Sequence, residues 1–157
     1  MKNLLHGLFL FACCQLAWAE AISHDQAIHD AARTGTGADI VRLLGQDPRQ
    51  RDLRTDLGSQ PLHLAAMNPD TSALRALLKA GANPNARDNE GATPLHMAAY
   101  ASRTPHAQIL LEAGADPLAK TDNGRDATAM ARKVKADETA GVISLWILKG
   151  CKPGKPC

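Results

Sequence analysis

The sequence predicts an all-α solenoid of about four stacked helix–turn–helix units with projecting turns, on three observations. The chain repeats itself at an interval of 33 residues. Its apolar residues recur at helical spacing, i, i+3 and i+4. Aromatic residues make up only 3% of a chain that is 45% apolar, so the core must be assembled from alanine and leucine in thin layers. Phe9, Phe11 and Trp18 stand near the N-terminus, leaving Tyr100 and Trp146 as the aromatic side chains of the rest. A deep aromatic pocket is therefore not expected.

Composition narrows the function as well. A formal charge of +2 over 157 residues argues against nucleic acid as the main partner, since phosphate binding needs a basic face. The apolar content excludes wholesale disorder.

The N-terminus reads as an export signal. Met1-Lys2-Asn3 is a short positive start, Leu4 to Ala12 is an apolar run broken by His6 and Gly7, and Ala17-Trp18-Ala19 supplies small residues at −1 and −3. Residues 1–19 are expected to be a signal peptide cleaved before Glu20. The run falls well short of the ~20 residues of a membrane-spanning helix. A periplasmic or secreted chain with no membrane span follows. Leu10-Phe11-Ala12-Cys13 also resembles a lipoprotein cleavage box with Cys13 as the lipidated residue. The bulky Phe11 and the short preceding run favour the ordinary signal peptide.

In an exported chain, Cys151 and Cys157 form an isolated pair that reads as a disulfide loop closing the tail 150–157. The intervening Pro153, Gly154 and Pro156 suit a tight return. A redox-active pair is the alternative, although C-x-x-C spacing and a helix start are both missing. Two cysteines alone do not complete a metal site, so no metal and no cofactor are expected.

The repeat is the strongest signal. The stretch from Thr55 through Gly58, Pro61, Leu62, His63, Ala65 and Ala66 recurs from Asp88 through Gly91, Pro94, Leu95, His96, Ala98 and Ala99. Leu77-Leu78-Lys79-Ala80-Gly81-Ala82-Asn83-Pro84 likewise returns as Leu110-Leu111-Glu112-Ala113-Gly114-Ala115-Asp116-Pro117. A weaker copy opens at Thr121-Asp122-Asn123-Gly124, and Ala27-Ile28-His29-Asp30-Ala31-Ala32 aligns backwards at 34. The units are about 22–54, 55–87, 88–120 and 121–149, within a domain of 20–149. Pro61 and Pro94 suit a first helical turn, the alanines let helices approach closely, and Gly81 and Gly114 suit the end of the second helix.

These residues carry a resemblance: the chain is similar to ankyrin-repeat proteins, of the small exported bacterial type. The family's histidine fixes the turn by hydrogen bonding, partly through the threonine before the proline. Thr93 keeps that partner and Gln60 replaces it, so His63 and His96 are expected to be structural, with different bonding in the first full repeat. His24, His29 and His106 are left without an assignment.

The ends of a stack lack one neighbour and should be atypical. Ser23 and Gln26 form a capping box, and Asp25, Asp30 and Arg33 make a polar outer face. Ala127 and Thr128 stand where Pro and Leu are expected. The last helix, roughly Glu138 to Lys149, carries Val142, Leu145, Trp146 and Lys149 at helical spacing. Trp146 is expected against the preceding unit, with partner contact as its alternative role.

No nucleophile elbow, phosphate loop or paired-carboxylate motif is present, and no enzyme is expected. The resemblance instead implies a concave protein-binding face of finger tips and exposed first-helix ends. Carried over by position, its contact residues are Arg54, Asp56, Leu57, Ser59, Met67 and Asn68, then Arg87, Asn89, Glu90, Tyr100 and Ala101. The third set is Lys120, Asp122, Asn123, Arg125, Arg132 and Lys133. Tyr100 is expected to be exposed; Leu57 and Met67 read equally as contacts or as packing within the finger. The resemblance implies a monomer that binds one partner protein, as an immunity protein against a toxic effector or as an accessory to a periplasmic oxidative-defence enzyme. A thiol redox protein and a structural envelope protein are the alternatives.

Overall fold

A computed structural model describes residues 27–154. The expected signal peptide, Cys13, His24, the Ser23–Gln26 capping box, Asp25 and Cys157 lie outside the described residues.

Eight α-helices and one 3-10 helix are present among the described residues, and no strand. Helical residues 27–34 form α1. They are followed by α2 (Gly37–Gln46), a 3-10 turn (Pro48–Asp52), α3 (Pro61–Ala65), α4 (Thr71–Lys79), α5 (Pro94–Tyr100), α6 (Thr104–Glu112), α7 (Ala127–Lys133) and α8 (Asp137–Leu148). The elements pair as helix hairpins, α3 with α4, α5 with α6, α7 with α8. The hairpins stack in two layers. The short helices α3, α5 and α7 line one, and α2, α4, α6 and α8 line the other.

Local chemistry sets several of the boundaries. Pro61 and Pro94 open α3 and α5, where a missing N–H removes no helical bond. Thr36 and Asp39 make a reciprocal capping box on α2, and Asp70 and Asp126 cap α4 and α7 through backbone N–H groups. After α4, Gly81 adopts φ 84°, the Gly81 N–H reaches the Leu78 carbonyl, and the Ala82 N–H reaches Leu77. The same paired bonds end α6 at Gly114.

The core is one continuous cluster of leucine, isoleucine and alanine running through all four units. Ala65, Ala98, Ala99 and Ala131 are fully buried, and their small side chains let the inner helices approach closely. Trp146 is buried, as expected. The rest of the α8 stripe differs from the sequence reading. Thr139, Ala140, Ile143 and Trp146 face inward, while Leu145 is exposed. The register follows from Thr139, whose hydroxyl lies 2.9 Å from that of Thr104 on α6. A threonine takes a core position because its hydroxyl has a hydrogen-bond partner there.

The histidines join one unit to the next. Nδ1 of His63 accepts the Gln60 N–H at 3.1 Å, and its Nε2 donates to the carbonyl of Ala92 at 3.2 Å. Nδ1 of His96 is 3.2 Å from the Thr93 nitrogen and 2.9 Å from its hydroxyl, and Nε2 donates to Arg125 at 3.0 Å. Gln60 lacks the hydroxyl contact, and its side chain turns to the Asp52 carbonyl instead. His29, aligned with His63 in the repeat, reaches the Leu53 carbonyl at 3.2 Å. In the last unit this position is Ala129, and no further finger follows among the described residues.

Candidate protein-binding face

Three fingers project between the helix pairs. Each is closed by a bond across its base: Thr55 N–H to Ser59, Asp88 to Ala92, Thr121 to Arg125, at 3.0, 3.0 and 2.9 Å. Gly58, Gly91 and Gly124 turn each finger at φ 73°, 72° and 73°. At Gly91 a Cβ would also meet the Arg87 guanidinium and the Asp122 carboxylate, each at 2.3 Å, so a side chain there would push that exposed pair aside.

Neighbouring fingers are bonded edge to edge. The Asn89 N–H donates to the Leu57 carbonyl at 3.1 Å, and the Asp122 N–H to Glu90 at 3.0 Å. Side chains reinforce the row. Arg54 donates to the carbonyls of Gly58 and Arg87, Asn89 Nδ2 to Asp56, and Arg87 pairs with Asp122 at 3.2 Å. The ion pair is exposed and contributes little by itself, ~0–1 kcal/mol. The row as a whole is pre-ordered, which lowers the entropy lost on binding.

Most of the expected contact residues are exposed. Arg54, Asp56, Leu57, Arg87, Asn89, Glu90, Tyr100, Lys120, Asp122, Asn123, Arg125, Arg132 and Lys133 are open to solvent. Leu57 is 75% exposed and Tyr100 58%. Ala101 is half-buried, and Met67 is half-buried against the core, which favours its packing role.

Two residues are corrected. Ser59 is buried, because its carbonyl closes the first finger and its N–H is 3.2 Å from the Thr55 hydroxyl. Asn68 is 2% exposed. Its Nδ2 donates to the carbonyls of Ala32 and Gly35 at 3.0 Å, and its Oδ1 accepts the Asp70 N–H. Pro69 follows it, and a fixed negative φ excludes the left-handed exit that Ser102 and Lys135 take after α5 and α7. Asn68 thus satisfies carbonyls of the first unit rather than meeting a partner. Arg103 does the corresponding work one unit on, donating to Met67 at 3.2 Å.

A pocket of about 270 Å³ opens between the second and third fingers and the ends of α5 and α7. It gathers Glu90, Tyr100, Asn123, Arg125 and Lys133 from the expected set. Met97 and Met130 also line it, and the sequence reading passed over both. Each follows the repeat histidine position by one residue, where Leu64 is buried in the first full unit. Arg132 belongs elsewhere, to a depression at the C-terminal end with Ile147 and Leu148.

Burial drives His63, His96 and His106 below the ordinary histidine value, consistent with neutral imidazoles. For His63 and His96 this matches the bonding, one ring nitrogen donating and the other accepting. Among the described residues, no group of three His, Cys, Asp or Glu is placed to hold a metal ion, and no helix is long and apolar enough to cross a membrane.

No curated protein matches the chain. A family model described as Ankyrin repeats (3 copies) matches residues 23–121, which is α1 through α6 and the opening of the third finger. The α7–α8 pair beyond the match repeats the same hairpin with Ala127 and Thr128 in place of Pro and Leu. The chain therefore belongs to the ankyrin-repeat family, whose members are generally non-catalytic modules of protein–protein interaction.

Proposed function

We propose that this chain is an exported module that holds one partner protein on the face of its fingers and inner helices, and so inhibits or stabilises it. The pocket between the second and third fingers carries the reading, because it sits in a pre-bonded row and exposes Tyr100 over two methionines. Rigid aromatic and adaptable thioether side chains are what binding surfaces favour. Two roles fit a small exported protein of this build: immunity to a toxic effector, or accessory to a periplasmic oxidative-defence enzyme.

The tail supports a structural use of the cysteines. Cys151 packs against the core, and its N–H bonds the Trp146 carbonyl at the C-terminal end of α8. A helix C-terminus disfavours the thiolate that redox chemistry needs. A disulfide between Cys151 and Cys157 is the proposed pairing.

Affinity capture on the tagged chain in its native compartment, crosslinked and read by mass spectrometry, tests the reading. One dominant partner near one-to-one is expected, and its chemistry would separate immunity from accessory. Absence of any enriched partner would overturn it.

A further inference from the structure

We propose that the partner enters the pocket between the second and third fingers with an apolar side chain flanked by a carboxylate. This rests on the binding-module reading and gives the partner's contact its chemistry. Met97, Met130 and Tyr100 supply the apolar lining, and Arg125 and Lys133 the cations. At about 270 Å³ the space is smaller than typical small-molecule sites, ~300–1,000 Å³. It suits one or two side chains of a protein.

The charges that line it are unequal. Asp122 faces Arg87. Asp88 accepts the N–H groups of Glu90 and Ala92, and Asp126 caps α7 through Ala129. Asp88 and Asp126 keep their charge on these neutral N–H partners, but none of the three carboxylates lines the pocket. Among the described residues the Arg125 and Lys133 side chains enter no ion pair, and Glu90 is the one remaining acid lining the pocket. Two cations against one acid beside an apolar lining complement an acidic side chain adjoining a leucine, methionine or phenylalanine. Opposite charge across such a contact sets orientation and partner choice.

The test selects random dodecapeptides displayed on phage against the purified chain and then measures the winners by fluorescence anisotropy. Enriched peptides are expected to carry Asp or Glu within a few positions of an apolar residue. Their binding should weaken with added salt and fall roughly tenfold or more in Arg125→Glu/Lys133→Glu and in Met130→Ala. Arg125→Gln/Lys133→Gln gives a milder loss and covers the case in which charge reversal disturbs folding. Peptides without acids, equal binding by the charge variants, or no enrichment at all would overturn the proposal. Binding to phosphatidylglycerol vesicles in place of any peptide would overturn it too. A partner captured equally well by Arg125→Glu/Lys133→Glu would refute this contact while leaving the binding module intact.

Discussion

His96 and Arg125 are tied across a unit boundary: the imidazole Nε2 donates to the Arg125 carbonyl at 3.0 Å while Thr93 holds the other ring nitrogen. The bond fixes the third finger from the helix of the unit before it. The finger's position is therefore set by a nearly fully buried residue of the preceding unit.

Replacing His96 by Ala leaves the Arg125 carbonyl and the Thr93 N–H without that partner. A loss of about 1–3 kcal/mol is expected, read as a lower urea midpoint with little change in slope. An unchanged midpoint would show that water replaces the imidazole at no cost.

Acid should weaken the fold before the carboxylates titrate. His63, His96 and His106 have folded values lowered by burial, so the unfolded chain binds more protons. Stability then rises with pH. It is fully present above the unfolded value of about 6.5 and is lost as pH falls from there toward the lowered folded values. Urea melts at pH 7.5 and 5.5 should show the acid sample less stable, and His106→Leu should narrow the difference. His106 suits that role because its Nδ1 is buried without a partner.

Tyr100→Ala and Leu57→Ala should leave the melting temperature nearly unchanged while weakening capture of the partner, since both side chains are exposed. Asn68→Ala should do the reverse. It uncovers carbonyls of Ala32 and Gly35 and is expected to cost about 1–3 kcal/mol. A steep fall in melting for Tyr100→Ala would reclassify it as a packing residue.

Gln50 is buried in the 3-10 turn with neither Oε1 nor Nε2 bonded. Gln50→Met, of similar volume, removes two unpaired groups and should stabilise by about 1–2 kcal/mol in thermal melts. Destabilisation would mean that the amide has a partner in solution.

The 33-residue period made the stack, its proline starts and its glycine ends readable, because each unit solves the same packing problem with the same residue types. Leu95 illustrates this: its place in the repeat predicts the core, and it is fully buried. What the period conceals is the use one unit makes of another. Asn68 looks like an exposed helix-end residue until the first unit's carbonyls are placed beside it. Thr139 looks like a surface threonine until Thr104 meets it. The pocket lining was hidden for a related reason. Met97 and Met130 sit in a register that Leu64 buries, yet both are only half-buried and line the pocket.

The histidine bonds also have a direction in time. His63 precedes Ala92, and His96 precedes Arg125, by 29 residues each. At ~5–20 residues per second a ribosome finishes each donor a few seconds before its acceptor. Every new finger thus emerges toward a helix that already exists, and assembly can run one unit at a time from the N-terminal side. A chain cut back from its C-terminal end loses acceptors and keeps its earlier units closed. One cut from the N-terminal end loses the donors that later fingers need.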